Sequence, residues 1–237
     1  IIEESEKQEI EAAASSDTKP TINSRRYAVY DKLSGRCIYG KDENKQTAMA
    51  STTKIMTSIV VVENCNLDDV VIVTAKAAGT GGSRLGLHTD DEIQVLDLLY
   101  GLMLKSGNDA AVALAIHTSG SVEEFAKLMN QKAEELGLKD TNFVTPHGLD
   151  NSEHYTTAYE LAKITDYALK NETIAKIVKT KTATIYINGN SMQINNTNEL
   201  LGNVEGVYGV KTGFTNNAGR CLVTSVKRGD MDVIIVV

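Results

Sequence analysis

The sequence predicts an α/β fold of the α+β type, in which an antiparallel sheet is flanked by helices and a helical lobe is inserted between its strands. Short apolar runs typical of strands occur near both ends of the chain, and the middle carries apolar residues at helical spacing. Turn signals separate these segments. We therefore expect the strands near both ends to pair in one sheet, with the helices packed against it.

The composition is that of a folded globular protein. Of 237 residues, 42% are hydrophobic and 23% are charged, which excludes disordered and fibrous proteins. Lys and Arg number 24 against 31 Asp and Glu, and the resulting formal charge of −7 argues against a nucleic acid partner. The three cysteines are too few for a disulfide framework, so we expect buried thiols. Widely spaced His and Cys residues predict neither a metal site nor another cofactor.

The first 24 residues differ from the remainder. They are acidic, rich in Ala and Ser, and contain no aromatic residue, which predicts a flexible tether before a folded domain at 25–237. The domain begins with apolar runs at 27–30 and 37–39 that flank Leu33-Ser34-Gly35 and predict a β-hairpin. No apolar run reaches the roughly 20 residues that a membrane span requires.

Helical patterns follow, and strand patterns return at the end. Ser51 opens a segment that stays hydrophobic on most faces to residue 62, which predicts a helix inside the domain. Two capping boxes mark further helix starts, Ser121 with Glu124 and Thr157 with Glu160. A second hairpin is predicted around the Asn188-Gly189 turn, and two final strands are predicted within 219–226 and 231–237.

The first of three polar clusters lies at the start of the predicted buried helix. Ser51 and Lys54 are three residues apart, so their side chains share one helix face and can meet in one pocket. A serine becomes a nucleophile when a base takes its proton, and a lysine becomes that base when burial or a nearby cation depresses its pKa. The alternative is a helix cap followed by a solvated lysine, because Ser-x-x-Lys is common by chance.

The second cluster, Lys105-Ser106-Gly107-Asn108, separates two apolar helical segments. It can be an ordinary interhelical turn, since Ser, Gly and Asn are common turn residues. A functional interpretation gives Ser106 a proton-relay role near Lys54. It also lets the Asn108 amide bind a backbone carbonyl of a substrate.

The third cluster, Lys211-Thr212-Gly213-Phe214, follows turn signals and is predicted to lie on a strand. In a functional interpretation Lys211 is the second cation that keeps Lys54 neutral. Thr212 then binds a substrate carboxylate, and Gly213 allows close approach of a backbone. The alternative is an exposed strand that carries a lysine.

A Ser-x-x-Lys, a Ser-x-Asn and a Lys-Thr-Gly in this order form a known set of catalytic motifs. With them the chain resembles the penicillin-recognising serine acyl-transferases, and among these the low-molecular-mass D-alanyl-D-alanine carboxypeptidases of peptidase family S11. Ser-Gly-Asn in place of the Ser-Asp-Asn of class A β-lactamases favours the carboxypeptidases. Further similar stretches at 82–85, 142–149 and 155–159 extend the resemblance over residues 25–237.

The resemblance implies a β-lactamase/transpeptidase-like fold and an acyl-enzyme mechanism. Ser51 would attack the penultimate D-Ala carbonyl of a peptidoglycan stem peptide, and Lys54 would accept its proton. Ser106 and Lys211 would relay a proton to the departing D-Ala, while the backbone N–H groups of Ser51 and Phe214 hold the oxyanion. β-Lactam antibiotics would acylate Ser51 as covalent inhibitors. The implied catalytic residues are Ser51, Lys54 and Ser106, and the implied substrate-binding residues are Asn108, Lys211, Thr212, Gly213 and Phe214.

Two details of the resemblance concern single residues. Some family members carry an arginine in an Asn-x-Asn segment that helps bind the terminal carboxylate, but this chain has Thr197 there. Carboxylate recognition is therefore left to Thr212 and Lys211. His147 lies in a Pro-His-Gly sequence that is typical of a loop corner, so we expect its role to be structural.

Other functions stay open on the same residues. A β-lactamase or a peptidoglycan endopeptidase would use the same scaffold, although the Glu-x-x-Leu-Asn loop that a class A β-lactamase needs for deacylation is not found in the sequence. A non-catalytic wall-binding protein is the third alternative. The presence of Ser51, Lys54 and Lys211 argues against it.

The resemblance also implies where the protein acts. Its substrate lies outside the cytoplasmic membrane, so we expect a protein that is secreted or attached to the outer face of that membrane through a segment absent from this chain. Family members usually continue beyond the last strand with a further helix. We therefore expect the penicillin-binding catalytic domain at 25–237 to be truncated at its C-terminus, leaving apolar surface on the sheet or a gap filled by another chain.

Overall fold

The structure, a computed structural model, describes residues 21–237. The predicted tether at 1–24 lies almost wholly outside the described residues and stays a prediction. The strands are β1 (Tyr27–Asp31), β2 (Arg36–Lys41), β3 (Val70–Ile72), β4 (Glu92–Gln94), β5 (Thr182–Ile187), β6 (Asn190–Asn195), β7 (Val207–Thr215), β8 (Gly219–Arg228) and β9 (Met231–Val236). The helices are α1 (Lys54–Asn64), α2 (Ala75–Ala78), α3 (Val95–Leu104), α4 (Asn108–Ser119), α5 (Val122–Glu135), α6 (Ala158–Leu169) and α7 (Glu172–Lys179), and a 3₁₀ turn, Ala50–Thr53, leads into α1.

Five strands form the main sheet, in the order β2-β1-β9-β8-β7 with antiparallel neighbours. Ala28 of β1 lies opposite Val236 of β9, so strands from both ends of the described chain pair as predicted. The predicted first hairpin is also confirmed as β1 and β2. Strand β7 lies at the edge of the main sheet, and its outer edge is therefore available to the site described below.

The second predicted hairpin is confirmed as β5 and β6, which meet at Asn188 and Gly189. It belongs to a separate four-stranded sheet in the order β3-β4-β5-β6. Strands β3 and β4 have three residues each and were not predicted. Runs this short do not show an alternation that distinguishes them from loops.

The helices lie between β2 and β7 in the chain and form the predicted inserted lobe. Helix α1 is buried along its first eight residues, as its apolar pattern predicts. Both capping boxes begin helices, because Ser121 Oγ accepts from Glu124 N at 3.1 Å and Thr157 Oγ1 accepts from Glu160 N at 3.0 Å. The Glu160 carboxylate is used elsewhere, since it accepts a hydrogen bond from Lys139 N at 2.7 Å.

Two predictions from the sequence concern exposure to solvent, namely the burial of the cysteines and the apolar surface on the main sheet. Cys37, Cys65 and Cys221 are free thiols, as predicted, but the prediction that they are buried is wrong because each keeps part of its surface exposed. One face of the main sheet is incompletely covered by the described residues, with half-buried side chains at Val29, Leu222, Val226 and Ile235. Within residues 21–237, none of the helices has the length and hydropathy needed to cross a membrane.

Candidate active site

Ser51 lies in a tight 3₁₀ turn, Ala50–Thr53, and the α-helix itself begins at Lys54. Ala50 adopts a left-handed conformation with φ of 49°, which is uncommon for a residue with a Cβ atom. The turn presents Ser51 at the surface of a cleft, while Thr52 and Thr53 beside it are buried. The local backbone thus exposes one hydroxyl at the buried N-terminal end of α1.

Lys54 is fully buried and makes three contacts with its amine. Nζ lies 2.9 Å from Ser51 Oγ, 2.7 Å from Asn108 Oδ1 and 2.9 Å from the carbonyl oxygen of His147. The last two atoms can only accept hydrogen bonds. A neutral amine has two hydrogens and one lone pair, so its hydrogens point to Asn108 and His147 and its lone pair to Ser51.

The surroundings of Lys54 favour the neutral amine. Burial lowers the pKa of Lys54 well below its ordinary value, and the charge of Lys211 lowers it further. The carboxylate of Asp109 opposes these effects without cancelling them. The sequence-based expectation that Lys211 helps to keep Lys54 neutral agrees with these electrostatics, although burial is the larger cause.

Lys211 is buried as well, on β7. Its Nζ donates to the carbonyl oxygen of Thr212 at 2.9 Å, and burial lowers the pKa of Lys211 to about 7. Its amine therefore changes charge close to neutral pH, in contrast to an exposed lysine.

The depressed pKa of Lys211 predicts a stability that rises with pH. In the unfolded chain Lys211 holds its proton up to its ordinary pKa of 10.5, whereas the folded protein releases it near 7. Between these values the unfolded state binds more protons, so the free energy of unfolding increases with pH. We expect it to be larger at about pH 8.5 than at about pH 7, by on the order of 1 kcal/mol, in urea denaturation.

The matched variant for this measurement is Lys211→Met. It should show a smaller rise over the same pH range, with the remainder due to Lys54. A rise of the same size in wild type and variant would contradict the assignment to Lys211.

A cleft of about 650 Å³ opens in front of the Ser51 turn. Five of the eight sequence-predicted site residues line it, namely Ser51, Ser106, Thr212, Gly213 and Phe214. The other three, Lys54, Asn108 and Lys211, are buried. The candidate site therefore has hydroxyl groups in the cleft and its two lysine amines inside the protein.

Ser106 and Gly107 lie in the break between α3 and α4, as predicted, and Asn108 is the first residue of α4. Ser106 has φ of 60°, and within residues 21–237 no hydrogen bond joins its hydroxyl to Lys54 or Lys211. Asn108 Nδ2 donates to Gly81 O at 2.8 Å, which orients Oδ1 toward Lys54. The predicted contact of the Asn108 amide with a substrate carbonyl stays a prediction, as does the relay through Ser106.

Strand β7 packs directly on the Ser51 turn. A Cβ atom at Gly213 would lie 3.0 Å from Ser51 N, which is closer than most Cβ contacts, so glycine favours this close approach. Next to it, Thr212 Oγ1 and Thr197 Oγ1 form a hydrogen bond of 2.8 Å, which brings Thr197 into the cleft beside the predicted carboxylate-binding residue. Gly213 is therefore the point at which β7 contacts the backbone of the Ser51 turn.

Sequence analysis missed several residues of the site. Arg220 lines the cleft from β8 opposite Phe214, and the turn between β7 and β8 was the signal that would have placed it there. The contribution of His147 comes from its backbone carbonyl, a contact that no side-chain motif encodes. Its imidazole accepts from Leu149 N at 3.2 Å, and burial lowers its pKa to about 3, in agreement with the expected structural role.

The chain is similar to several characterised proteins. The D-alanyl-D-alanine carboxypeptidase DacF of Bacillus subtilis is 42% identical over 215 residues, which are 87% of this chain and 55% of that protein. A D-alanyl-D-alanine carboxypeptidase of Streptomyces sp. strain K15 is 38% identical over 239 residues, covering 93% of this chain and 82% of the relative. The chain thus spans about half the length of the Bacillus relative.

Solved structures agree with the fold. The crystal structure of the Streptomyces K15 DD-transpeptidase has a TM-score of 0.87 at 37% identity, covering 93% of this chain and 91% of that chain. The predicted transpeptidase-like α+β fold is therefore confirmed. A family described as D-alanyl-D-alanine carboxypeptidase, Peptidase S11, matches residues 13–237. The chain belongs to this family of D-alanyl-D-alanine carboxypeptidases.

Proposed function

We propose that this chain is a serine-type D-Ala-D-Ala carboxypeptidase that removes the terminal D-Ala from peptidoglycan stem peptides through an acyl-enzyme on Ser51. One observation carries the proposal. Lys54 Nζ lies 2.9 Å from Ser51 Oγ while its two other contacts, Asn108 Oδ1 and His147 O, are acceptors. This arrangement supports a serine activated by a neutral lysine.

In the first step Ser51 Oγ attacks the carbonyl carbon of the penultimate D-Ala, and its proton passes to Lys54 Nζ. The carbonyl oxygen becomes negatively charged, and the backbone N–H groups of Ser51 and Phe214 are proposed to stabilise it. The close packing of Gly213, the residue before Phe214, on the Ser51 turn supports this assignment. Each such donor typically contributes about 3 to 4 kcal/mol to the transition state.

In the second step the bond to the terminal D-Ala breaks. Its nitrogen takes a proton that comes from Lys54, with Ser106 and Lys211 as the proposed relay, and D-Ala leaves as a free amine. Water then attacks the ester carbon with Lys54 as the base. The acyl group departs as a carboxylic acid, and Ser51 regains its proton.

The terminal carboxylate of the substrate is proposed to bind at Thr212. The hydroxyl of Thr212 lines the cleft with that of Thr197, and the buried Lys211 amine lies one residue away along β7. When protonated, Lys211 provides a positive potential at this end of the cleft. Penicillins present a carboxylate in a similar position relative to their reactive carbonyl, so we propose that they acylate the same serine.

The substrate determines where the reaction takes place. Peptidoglycan lies outside the cytoplasmic membrane, so we propose that the protein acts there, either secreted or attached to the outer face. The sequence carries no Glu-x-x-Leu-Asn segment of the kind that a class A β-lactamase uses for deacylation. Stem-peptide hydrolysis is therefore proposed ahead of β-lactamase, endopeptidase and non-catalytic functions.

Two measurements on the whole chain test this proposal. Intact-mass analysis after incubation with benzylpenicillin should show an increase equal to the whole antibiotic, and peptide mapping should place it on Ser51. An acylated Lys-D-Ala-D-Ala peptide should release D-Ala, while the same peptide ending in L-Ala should not react. An adduct on another residue, or rapid turnover of a chromogenic cephalosporin without D-Ala release, would contradict the proposal.

A further inference from the structure

We propose that His154 and Thr53 form a latch that fixes the Ser51 turn in its reactive conformation, which makes both of them positioning residues for acylation. The latch consists of the His154 imidazole, the Thr53 hydroxyl and the carbonyl of Ala50. It rests on the proposed function, because it deepens the account of the same nucleophile. Thr53 occupies an unspecified position of the Ser-x-x-Lys motif, and His154 lies outside the three motif clusters.

The His154 ring is buried and uses both of its nitrogens. Nδ1 accepts a hydrogen bond from Val144 N at 2.9 Å, so in the neutral ring the proton is on Nε2. Nε2 lies 2.8 Å from Thr53 Oγ1 and therefore donates to it. The backbone N–H of Val144, at the start of the loop 144–149, thus sets the tautomer of His154 and the direction of its second hydrogen bond.

Thr53 connects the His154 ring to the peptide bond that precedes Ser51, the proposed nucleophile. Because its hydroxyl accepts from His154, its own proton is free to donate to Ala50 O at 2.8 Å. Ala50 is the left-handed residue immediately before Ser51. A hydrogen bond to its carbonyl fixes the orientation of the peptide that supplies Ser51 N, one of the two proposed oxyanion donors.

The same loop also contacts the base. His147 O accepts from Lys54 Nζ, and Pro146 O accepts from Thr57 Oγ1 at 2.6 Å. Gly148 packs against the turn so closely that a Cβ atom there would lie 1.8 Å from Ala50 O. Nucleophile and base are therefore positioned against one loop, and His154 Nδ1 holds the start of that loop through Val144.

The latch requires a neutral imidazole, since a protonated ring has no acceptor for Val144 N. Burial lowers the pKa of His154 to about 4, which keeps the ring neutral at neutral pH. The His154 ring also meets Phe143 edge-on, with ring centroids 5.7 Å apart. The His154→Phe variant would preserve this packing and remove the hydrogen bonds of the ring with Thr53 Oγ1, Val144 N and Thr145 N.

The experiment compares the penicillin acylation kinetics of Thr53→Val, Thr53→Ser, His154→Phe and the Thr53→Val/His154→Phe double variant. Valine matches threonine in shape but has no hydroxyl, whereas serine keeps the hydroxyl. The matched control is Thr165→Val, because Thr165 is a buried threonine of α6 whose hydroxyl donates to Leu161 O of the same helix at 2.7 Å and not to a latch residue. Thermal unfolding of every variant reports the loss of stability.

We expect Thr53→Val and His154→Phe each to lower the acylation rate constant about tenfold, with the preceding binding constant unchanged. Because both act through the same hydrogen-bond chain, the double variant should fall about as far as either single variant. Thr53→Ser should stay within about twofold of wild type. Thr165→Val should lose thermal stability comparable to Thr53→Val and acylate at the wild-type rate.

Three outcomes would overturn the latch. They are a folded Thr53→Val that acylates at the wild-type rate, a loss confined to the binding constant, and losses that multiply in the double variant. A wild-type protein that forms no penicillin adduct at all overturns the proposed function instead. The two failures are therefore distinguished by the wild-type measurement.

Discussion

Replacing Ser51 by alanine is expected to abolish the penicillin adduct and to lower D-Ala release by at least about 10⁴-fold. The reason is that Ser51 Oγ lies at the cleft surface 2.9 Å from a buried amine whose lone pair can accept its proton. Alanine removes the only atom that forms the acyl bond. Lys54 keeps its contacts with Asn108 and His147, so the fold should be retained.

The control for this variant is Ser58→Ala. Ser58 also lies in the buried segment of α1, but its hydroxyl donates to Ile55 O within the helix at 2.7 Å. We expect this variant to be labelled by penicillin like wild type. Labelling of Ser51→Ala at the wild-type rate would show that another residue is the nucleophile.

Replacing Lys54 is expected to have the second largest effect. Lys54→Met should slow acylation about 10³-fold, because methionine fills a similar volume and cannot accept the Ser51 proton. It also leaves Asn108 Oδ1 and His147 O without a donor, which costs about 1 to 3 kcal/mol for each unsatisfied group. Stopped-flow acylation and thermal unfolding measure the two effects separately.

The Lys54→Arg variant tests whether Lys54 must accept a proton or need only donate hydrogen bonds and carry a positive charge. An arginine can donate to the same acceptors, but its guanidinium stays protonated and cannot take up a proton. We expect this variant to acylate as slowly as Lys54→Met if it folds, and its unfolding curve reports whether it does. A folded arginine variant with wild-type kinetics would assign proton transfer to a different group.

Local patterns in the sequence predicted the parts of this site that depend on local geometry. Ser51 and Lys54 meet because residues three apart share a helix face, and the strand with Lys211 follows from its turn signals. The same applies to the fold, since the Asn188-Gly189 hairpin and the Ser121 cap are encoded within a few residues.

The rest depends on backbone groups that come from distant segments. His147 O reaches Lys54 and Gly81 O reaches Asn108, and a carbonyl carries no residue type that a motif can record. The left-handed Ala50 was also missed, because alanine gives no signal for that conformation. In the same way, no local pattern in the sequence indicates that Thr53 contacts His154, 101 residues further along the chain.

The position of β9 between β1 and β8 in the main sheet has a consequence for the stage of folding at which the candidate site forms. Its pairing with β1 joins segments far apart in the chain, as the ion pair between Lys32 and Asp232, 200 residues apart, illustrates. Closing so long a loop costs chain entropy and delays folding. Before β9 pairs with β1 the main sheet is incomplete, so we expect Lys211 on β7 to be less buried than in the folded protein. Lys54 is then exposed to solvent and keeps its proton. If Ser51 reacts as proposed, its acylation should therefore measure the fraction of molecules that have completed folding.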